Sequence, residues 1–358
     1  MSRTPRITIG IPVFHGEALV ADALRSVQAQ TFRDFKVVVS VDGGDERSAA
    51  ACRPFERDPR FRVVVQNERL GWAGNINWLT HQADTEFFIY LAQDDKIDPV
   101  AYETLLAHAD RHPQTLVVYP DIQWFGARDW IQSEPEPTGS PVEKTIASLA
   151  WCPWIAFVGL RRTELMGMTG DLLVDQSQSA LEDVIWVMKA RRLGTIHRIA
   201  RPLHMKRLHD GMVTMSKRKL TPDVRRRIWI DAWTRMLAAA LDAAENTGDV
   251  RKMLAVTLRR VAVEAPDMDW FLDLRPLVLT ERRRLVADFV ANLEQIGTID
   301  LPARLGESWA ALRQWGIKEC GLELEFGRFL RLAYRQPRKL IAATSLGRRL
   351  IGGGESDR

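Results

Sequence analysis

The stretch FFIYLAQDDKIDPVAYE, residues 87–103, indicates both the fold of this chain and the position of its site. It begins with a mostly apolar run, Phe87 to Ala92, which is typical of a strand that is buried on both faces. Two adjacent acids, Asp94 and Asp95, follow, and Pro99 then opens a helical pattern. Because ligands of open α/β sheets bind beyond the carboxyl ends of the strands, these acids are expected at a ligand-binding rim.

The segments before this stretch alternate between strands and helices. Val-, Ile- and Phe-rich runs are separated by amphipathic stretches, for example RITIGIPVF (6–14), GEALVADALRSVQAQ (16–30) and FKVVVSVDGG (35–44). This alternation is the sequence form of βαβ units. It predicts an α/β fold with a mainly parallel sheet and helices on both faces, and it brings the loops PVFHGE, VDGGD, QNERLGWAGN and AQDD to one rim.

The chain changes character after KLTPD (219–223). Residues 223–345 have the pattern of amphipathic helices, most clearly in LTERRRLVADFVANLEQI (279–296). We therefore predict a boundary near Pro222. The expected organisation is an α/β domain over residues 1–220, an all-α domain over 221–345 and a flexible tail over 346–358.

Composition excludes several classes of protein. With 358 residues, of which 46% are hydrophobic, the chain can form one sizeable core and a second domain. Its three isolated cysteines (Cys52, Cys152 and Cys320) disfavour a zinc cluster or a disulfide framework and fit a reducing cytoplasm. We expect no membrane span, because no apolar run reaches about eighteen residues. The formal net charge of +4 is modest, and we expect no nucleic-acid partner.

The acid pair at residues 94 and 95 has two interpretations. Asp residues after a strand often form a turn by accepting local backbone hydrogen bonds. Alternatively, the two carboxylates hold Mg²⁺ or Mn²⁺ together with the phosphates of a ligand.

A second acid pair, Glu182 and Asp183, opens the helical stretch LEDVIWVMKARRLG (181–194). Acids in a first helical turn are stabilised by the helix dipole, but such a carboxylate can also serve as a general base. His209, in the polar stretch HMKRLHDGMVT (204–214), is either a surface residue or a ligand. Which interpretation applies to the acid pair and to His209 depends on the residues that surround them in the fold.

Four segments in order resemble the family 2 glycosyltransferases of the GT-A fold. They are residues 7–44, with the opening strand and an Asp; NERLGWAGNINWL (67–79); EFFIYLAQDDKIDPVAYETL (86–105), with a DXD-type motif; and residues 181–214, with an ED pair and a late histidine. The resemblance covers about residues 6–215 and implies a GT-A domain that binds a nucleotide-diphosphate sugar through a divalent metal. The helical C-terminal third lies outside it.

The resemblance also implies roles for individual residues. The nucleotide would be contacted by Pro12, Phe14, Glu17, Asp42, Asn75 and Asp94. Asp95 would bind Mn²⁺ or Mg²⁺, with Asp94 and His209 as further ligands. Asp183 would be the base that deprotonates the acceptor hydroxyl, and Glu182 is its substitute. Groups on opposite sides of the sugar imply a single displacement with inversion.

The sequence departs from the family pattern in three places. Ala92 and Gln93 precede Asp94, so the first acid of a full DXD motif is replaced. Gly74 stands before Asn75 where the family often has Arg, which removes a cationic contact to the base. His15 replaces a common Asn in the opening loop.

The acceptor is expected near residues 150–183 and would be a saccharide, a glycan or a lipid-linked carrier. Trp151 and Trp154 offer aromatic faces to sugar rings, although their apolar neighbours favour the core for at least one of them. Residues 328–350 contain seven Arg or Lys and no acid. This segment is either a solvated terminal helix or a peripheral contact with the inner face of the membrane.

Three alternative functions follow from the same residues. A nucleotidyltransferase would carry a glycine-rich phosphate loop after the first strand, which PVFHGE lacks. A dinucleotide-dependent oxidoreductase would show GxGxxG after an early strand. A non-catalytic sugar-nucleotide-binding or assembly protein on the same fold would not need the ED pair and His209, whose presence favours an enzyme.

Overall fold

The computed structural model describes residues 4–134, 136–174, 181–212, 219–263, 279–296, 300–306 and 308–318. Within these residues nine strands form one sheet. They are β1 (Ile7–Val13), β2 (Phe35–Val41), β3 (Phe61–Val65), β4 (Phe87–Tyr90), β5 (Lys96–Ile97), β6 (Thr115–Gly126), β7 (Trp130–Gln132), β8 (Leu160–Arg162) and β9 (Thr195–Leu208).

The described α-helices lie between these strands and after them. Those of the first part are α1 (Val20–Gln28), α2 (Glu46–Cys52), α3 (Gly71–His81), α4 (Ala101–Arg111), α5 (Pro141–Trp151), α6 (Glu164–Thr169) and α7 (Glu182–Leu193). Those of the second part are α8 (Pro222–Leu241), α9 (Thr247–Val263), α10 (Leu279–Ile296), α11 (Leu301–Leu305) and α12 (Ser308–Lys318). No helix in the described ranges is both long enough and apolar enough to cross a membrane.

The sheet is parallel in its first half and mixed in its second. The order β3-β2-β1-β4 is entirely parallel, as the βαβ pattern predicts. Beyond β4 the order continues β8-β6-β9-β5, where β8 is antiparallel to both β4 and β6 while β9 is parallel to β6. The α/β fold class is confirmed, but the parallel arrangement is limited to β1–β4 and the β6–β9 pair.

Helices cover both faces of the sheet, as expected. Alternate residues of β4 point to opposite faces: Phe87 and Ile89 pack in one core with α1, α2 and α4, whereas Phe88 and Tyr90 pack in another with α3, α6 and α7. Burial on both faces explains why the strand is apolar throughout. The apolar run therefore ends where the strand reaches the rim, and the polar residues Gln93 to Asp95 begin there.

The helical part shares a core with two helices of the first part. Trp233, Met236 and Leu237 of α8 are buried together with residues of α9, α10 and α11. The same core contains Val142 and Leu149 of α5 and Val184, Ile185 and Met188 of α7. The boundary near Pro222 does begin α8, but α5 and α7 pack against both parts.

A chain that ends at Leu220 is expected to fold poorly, because loss of α8–α12 exposes the apolar faces of α5 and α7. Dye binding to exposed apolar surface and the cooperativity of urea unfolding, compared with the full chain, are the measurements. A soluble, cooperatively unfolding 1–220 fragment would show that the first part is an independent domain after all.

Candidate active site

The acids after β4 are joined to the end of β9 through Asp95. Its side chain is 1% exposed, and its carboxylate accepts hydrogen bonds from the backbone N–H of Arg207 (2.9 Å) and from Lys206 Nζ (3.5 Å). His204 Nε2 lies 3.0 Å from Asp95 Oδ2. Burial would raise the pKa of Asp95, but the charge of Lys206 and the contacts from His204 and Arg207 outweigh burial and lower it.

These contacts follow from the path of the chain after β4. Asp94 and Asp95 lie in a turn that leads into β5, and β5 pairs with β9 at Lys96↔Met205 and Ile97↔His204. The end of β4 is thereby fastened to the end of β9. The structure thus buries the carboxylate of Asp95, the predicted metal ligand, against three partners from β9, and metal binding by Asp95 stays a prediction.

Asp94 faces the more open side of the turn. Its Oδ2 lies 2.8 Å from His209 Nε2, and both side chains are partly exposed. Arg207 Nε donates to the backbone oxygen of Asp94 at 3.0 Å and fixes the turn. The structure thus brings together two of the three predicted metal ligands, one carboxylate and one imidazole, a donor pair that fits a divalent cation with open positions for phosphate oxygens.

Asp183 belongs to the same site. Burial would lower the pKa of Lys206, but the charges of Asp95, Asp94 and Asp183 outweigh burial and raise it. Asp183 therefore lies within electrostatic reach of Lys206, as the acid pair does. Its Oδ1 accepts a hydrogen bond from Val184 N–H at 2.9 Å, and the side chain remains partly exposed.

Glu182 has a different environment from its neighbour. It is buried, its Oε1 lies 3.4 Å from Arg235 Nη2 of α8, and burial raises its pKa. Leu181, just before it, has φ of 66°, a left-handed backbone that is uncommon for a side chain with Cβ substituents. The turn and the ion pair together set the direction in which α7 begins, and they leave Asp183 at the open face.

The opening loop is held to the acid turn by Gln93. Its amide accepts from Phe14 N–H (2.8 Å) and donates to the Phe14 carbonyl (2.9 Å). A Cβ at Gly16 would lie 2.3 Å from Gln93 Oε1, so glycine here allows the Gln93 side chain to keep its two hydrogen bonds to Phe14. The ring of Phe14 packs 4.1 Å from the Arg69 guanidinium. Arg69 therefore places a cation beside the predicted nucleotide residue Phe14.

The other predicted nucleotide residues are more enclosed. Pro12 is buried in β1. Asp42 is 2% exposed, and its carboxylate accepts from Leu70 N–H (2.6 Å) and Gly71 N–H (3.1 Å), so it caps the start of α3. Glu17 lies in the opening loop, partly exposed.

Asn75, another predicted nucleotide residue, is also enclosed. It is 2% exposed and donates to the Ser40 carbonyl of β2 at 3.1 Å. Its amide thus lies between α3 and the sheet, and its contact with the nucleotide stays a prediction.

The two tryptophans proposed for the acceptor lie in different environments. Trp151 ends α5 with 68% exposure. Trp154 is partly buried, with its ring 6.3 Å from that of Trp124 and 5.3 Å from Lys206 Nζ. Glu134 accepts from the backbone N–H groups of Trp154 and Ile155, and burial raises the pKa of Glu134 to about 7. Trp154 is the one that reaches the acid site.

The sequence analysis missed four residues of the site, namely Gln93, His204, Lys206 and Arg207. Three of them lie in β9, in the stretch HMKRLH, and this strand places alternate residues on opposite faces. His204 and Lys206 share the side that meets Asp95, which their spacing of two residues could have indicated. Gln93 had no such signal, because its role depends on a loop 79 residues away in sequence.

Comparison with known proteins gives a family match over the first part of the chain. Residues 8–162 match the family model described as glycosyl transferase family 2. This region is therefore similar to the family 2 glycosyltransferases, and the fold is a GT-A fold with a helical region after it.

Individual relatives are similar over shorter stretches. A GalNAc(5)-diNAcBac-PP-undecaprenol beta-1,3-glucosyltransferase of Campylobacter jejuni is 30% identical over 108 residues, which are 30% of this chain and 35% of that protein. Glycosyltransferase GlyA of Streptococcus pneumoniae is 25% identical over 100 residues, 28% of this chain and 14% of that protein. The chain thus spans about a third or less of these curated relatives.

The solved structures are similar over nearly the whole chain. Staphylococcus aureus TarS 1–349 has a TM-score of 0.61 at 17% identity, covering 93% of this chain and 92% of that one. Its complex with UDP-GlcNAc has a TM-score of 0.63 at 18% identity, with the same coverage. At such identity the likeness shows the fold alone, and it extends through the helical region.

Asp94→Asn and Asp95→Asn are expected to change different properties of the protein, namely metal binding and stability. Asp95→Asn should destabilise the fold by about 3 kcal/mol, because it removes the buried charge that His204, Lys206 and the Arg207 N–H share. Asp94→Asn should change stability by less than about 1 kcal/mol but remove Mn²⁺ binding at the site. Urea unfolding and calorimetric titration with Mn²⁺ are the measurements. Mn²⁺ binding that survives in Asp94→Asn and vanishes in a folded Asp95→Asn would show that Asp95, and not Asp94, is the ligand.

Proposed function

We propose that this chain is an inverting glycosyltransferase that moves a sugar from a nucleotide-diphosphate donor to a hydroxyl group, with help from a divalent metal. The observation that carries the proposal is the convergence of Asp94, His209 and Asp183 on one rim beside Lys206. The first two form a ligand pair, and the third is a carboxylate that is partly exposed.

Asp94 and His209 would hold Mn²⁺ or Mg²⁺, which when bound would stabilise the negative charge of the departing diphosphate as a Lewis acid. Lys206 adds a fixed positive charge at the same rim. Phe14 and Arg69 form one wall of the opening loop, where the nucleotide would lie.

Asp183 would act on the acceptor. As the acceptor oxygen forms its bond to the anomeric carbon and the bond from that carbon to the diphosphate breaks, the hydroxyl proton passes to Asp183. Such general base catalysis contributes about 10²–10⁴-fold. Attack from the side opposite the leaving group inverts the configuration. Glu182 would support this step only by holding α7 against α8.

The relatives suggest substrate classes. TarS binds UDP-GlcNAc, and the Campylobacter jejuni relative is named for a lipid diphosphate acceptor. We therefore propose a UDP-sugar donor and a saccharide, polymer or lipid-linked acceptor, received near Trp154. The proposed peripheral membrane contact through residues 328–350 lies outside the described residues and stays a prediction, as do the tail at 346–358 and a position at the inner membrane face.

A non-catalytic sugar-nucleotide-binding protein is the second candidate. It would use the same donor rim but would not depend on a base. Asp183 is partly exposed, whereas Glu182 is buried. Conservative variants of the two residues can therefore distinguish the glycosyltransferase from the non-catalytic binding protein.

Asp183→Asn is expected to lower UDP-sugar turnover by at least about 10²-fold while leaving donor affinity unchanged, because it removes the basic oxygen but keeps the shape. Donor hydrolysis or transfer, measured with a panel of UDP-sugars and Mn²⁺, and calorimetry with UDP are the assays.

Glu182→Gln is the matched control. It should weaken the contact to Arg235 and lower stability while retaining measurable turnover. If Glu182→Gln is inactive and Asp183→Asn active, the roles are reversed. If the unmodified chain binds UDP but turns over none of the UDP-sugars, the binding-protein candidate is favoured.

A further inference from the structure

Three histidines meet at the opposite end of β9 from the acid site. His108 and His112 are four residues apart at the end of α4, and His197 lies near the start of β9. One ring nitrogen from each lies within 4.8 Å of the others. His108 Nε2 and His197 Nδ1 are 2.8 Å apart, and the ring of His112 is centred 4.5 Å from that of His108 and 5.2 Å from that of His197.

This arrangement has the features of a metal site rather than of packing. A spacing of four residues brings two histidines to one side of a helix, and neutral imidazole is the commonest metal ligand in proteins. Two nitrogens about 2.0–2.1 Å from one tetrahedral zinc ion are about 3.3 Å apart. The His108–His197 pair would need to open by about 0.5 Å for this. The hydrogen shared between them would move to the far nitrogen of its ring.

The charge state also favours ligation. Three protonated rings at these distances would repel one another, so the geometry favours neutral imidazoles, which is the form that binds a metal. His112 is exposed, so solvent can supply a fourth ligand.

The cluster is separate from the proposed catalytic rim. β9 runs parallel to β6 from His197, paired with Val118, to His204, paired with Ile122. Because β9 bulges here, its seven residues from His197 to His204 lie opposite only four residues of β6, which places His197 about 13 Å along the sheet from the partner of Asp95. Neither Asp94 nor His209 contributes to it.

We infer that His108, His112 and His197 form a second metal site, which takes a transition-metal dication such as Zn²⁺ with one position open to solvent. Such an ion would fasten the end of α4 to the start of β9. The three ligands come from elements that pack against each other in the fold, so the site is preformed.

The test is a Zn²⁺ titration of the full chain against a chromophoric chelator at pH 7.5. We expect one bound equivalent of Zn²⁺ that is lost in the His108→Gln/His197→Gln double variant. In His112→Gln the affinity for this equivalent should fall at least about tenfold, since loss of outer-shell partners alone costs about 10–100-fold in metal affinity. His112 is exposed, so its variant should fold even if the double variant does not.

Two controls separate this site from others. His81→Gln removes an exposed histidine that pairs with Asp171 and should change nothing. His209→Gln should remove only Zn²⁺ bound at the acid rim, so the cluster equivalent must persist in it. Equal numbers of equivalents in the unmodified chain and in His112→Gln, with equal affinity, would overturn the inference, as would loss of all bound Zn²⁺ in His209→Gln.

Discussion

The site depends on the burial of one carboxylate. Asp95 is removed from water, and a charge in that position must be matched by a cation and by hydrogen bonds. Lys206, His204 and the Arg207 backbone provide them, and all three belong to β9. The end of β4, in the middle of the sheet, is thereby held to the end of β9. This contact places Asp94 beside His209.

The helical region contributes to the site from outside the GT-A domain. Glu182 pairs with Arg235 of α8, and the apolar side of α7 lies in the same core as α8 and α9. The start of α7 is therefore positioned from both sides, by the left-handed Leu181 and by the helices after residue 222. Asp183 is placed by this support, so the helical region would influence the proposed transfer through the position of α7.

Local pattern was enough to predict the parallel strands, the helices and the rim. Those features depend on periodicity and on strand ends, which are visible in sequence. The burial of Asp95 could not be predicted, because neighbouring acids are equivalent in sequence, whereas the turn after β4 sends one inward and the other outward. The burial of Asn75 was hidden for a similar reason, since its side of α3 faces the sheet. Pairing between β5 and β9, which decides both acids, joins residues more than a hundred positions apart.

The contact between Gln93 and Phe14 changes how the shortened motif should be understood. An amide both donates and accepts, and here it does so with the N–H and the carbonyl of one residue. A carboxylate in that place could only accept, and an aspartate would also be shorter. Gln93 therefore lacks the charge of the acidic motif, but it joins the opening loop and the acid turn through two hydrogen bonds. Homologues that carry Gln here should pair it with glycine two residues after the aromatic, and the two positions should change together in evolution.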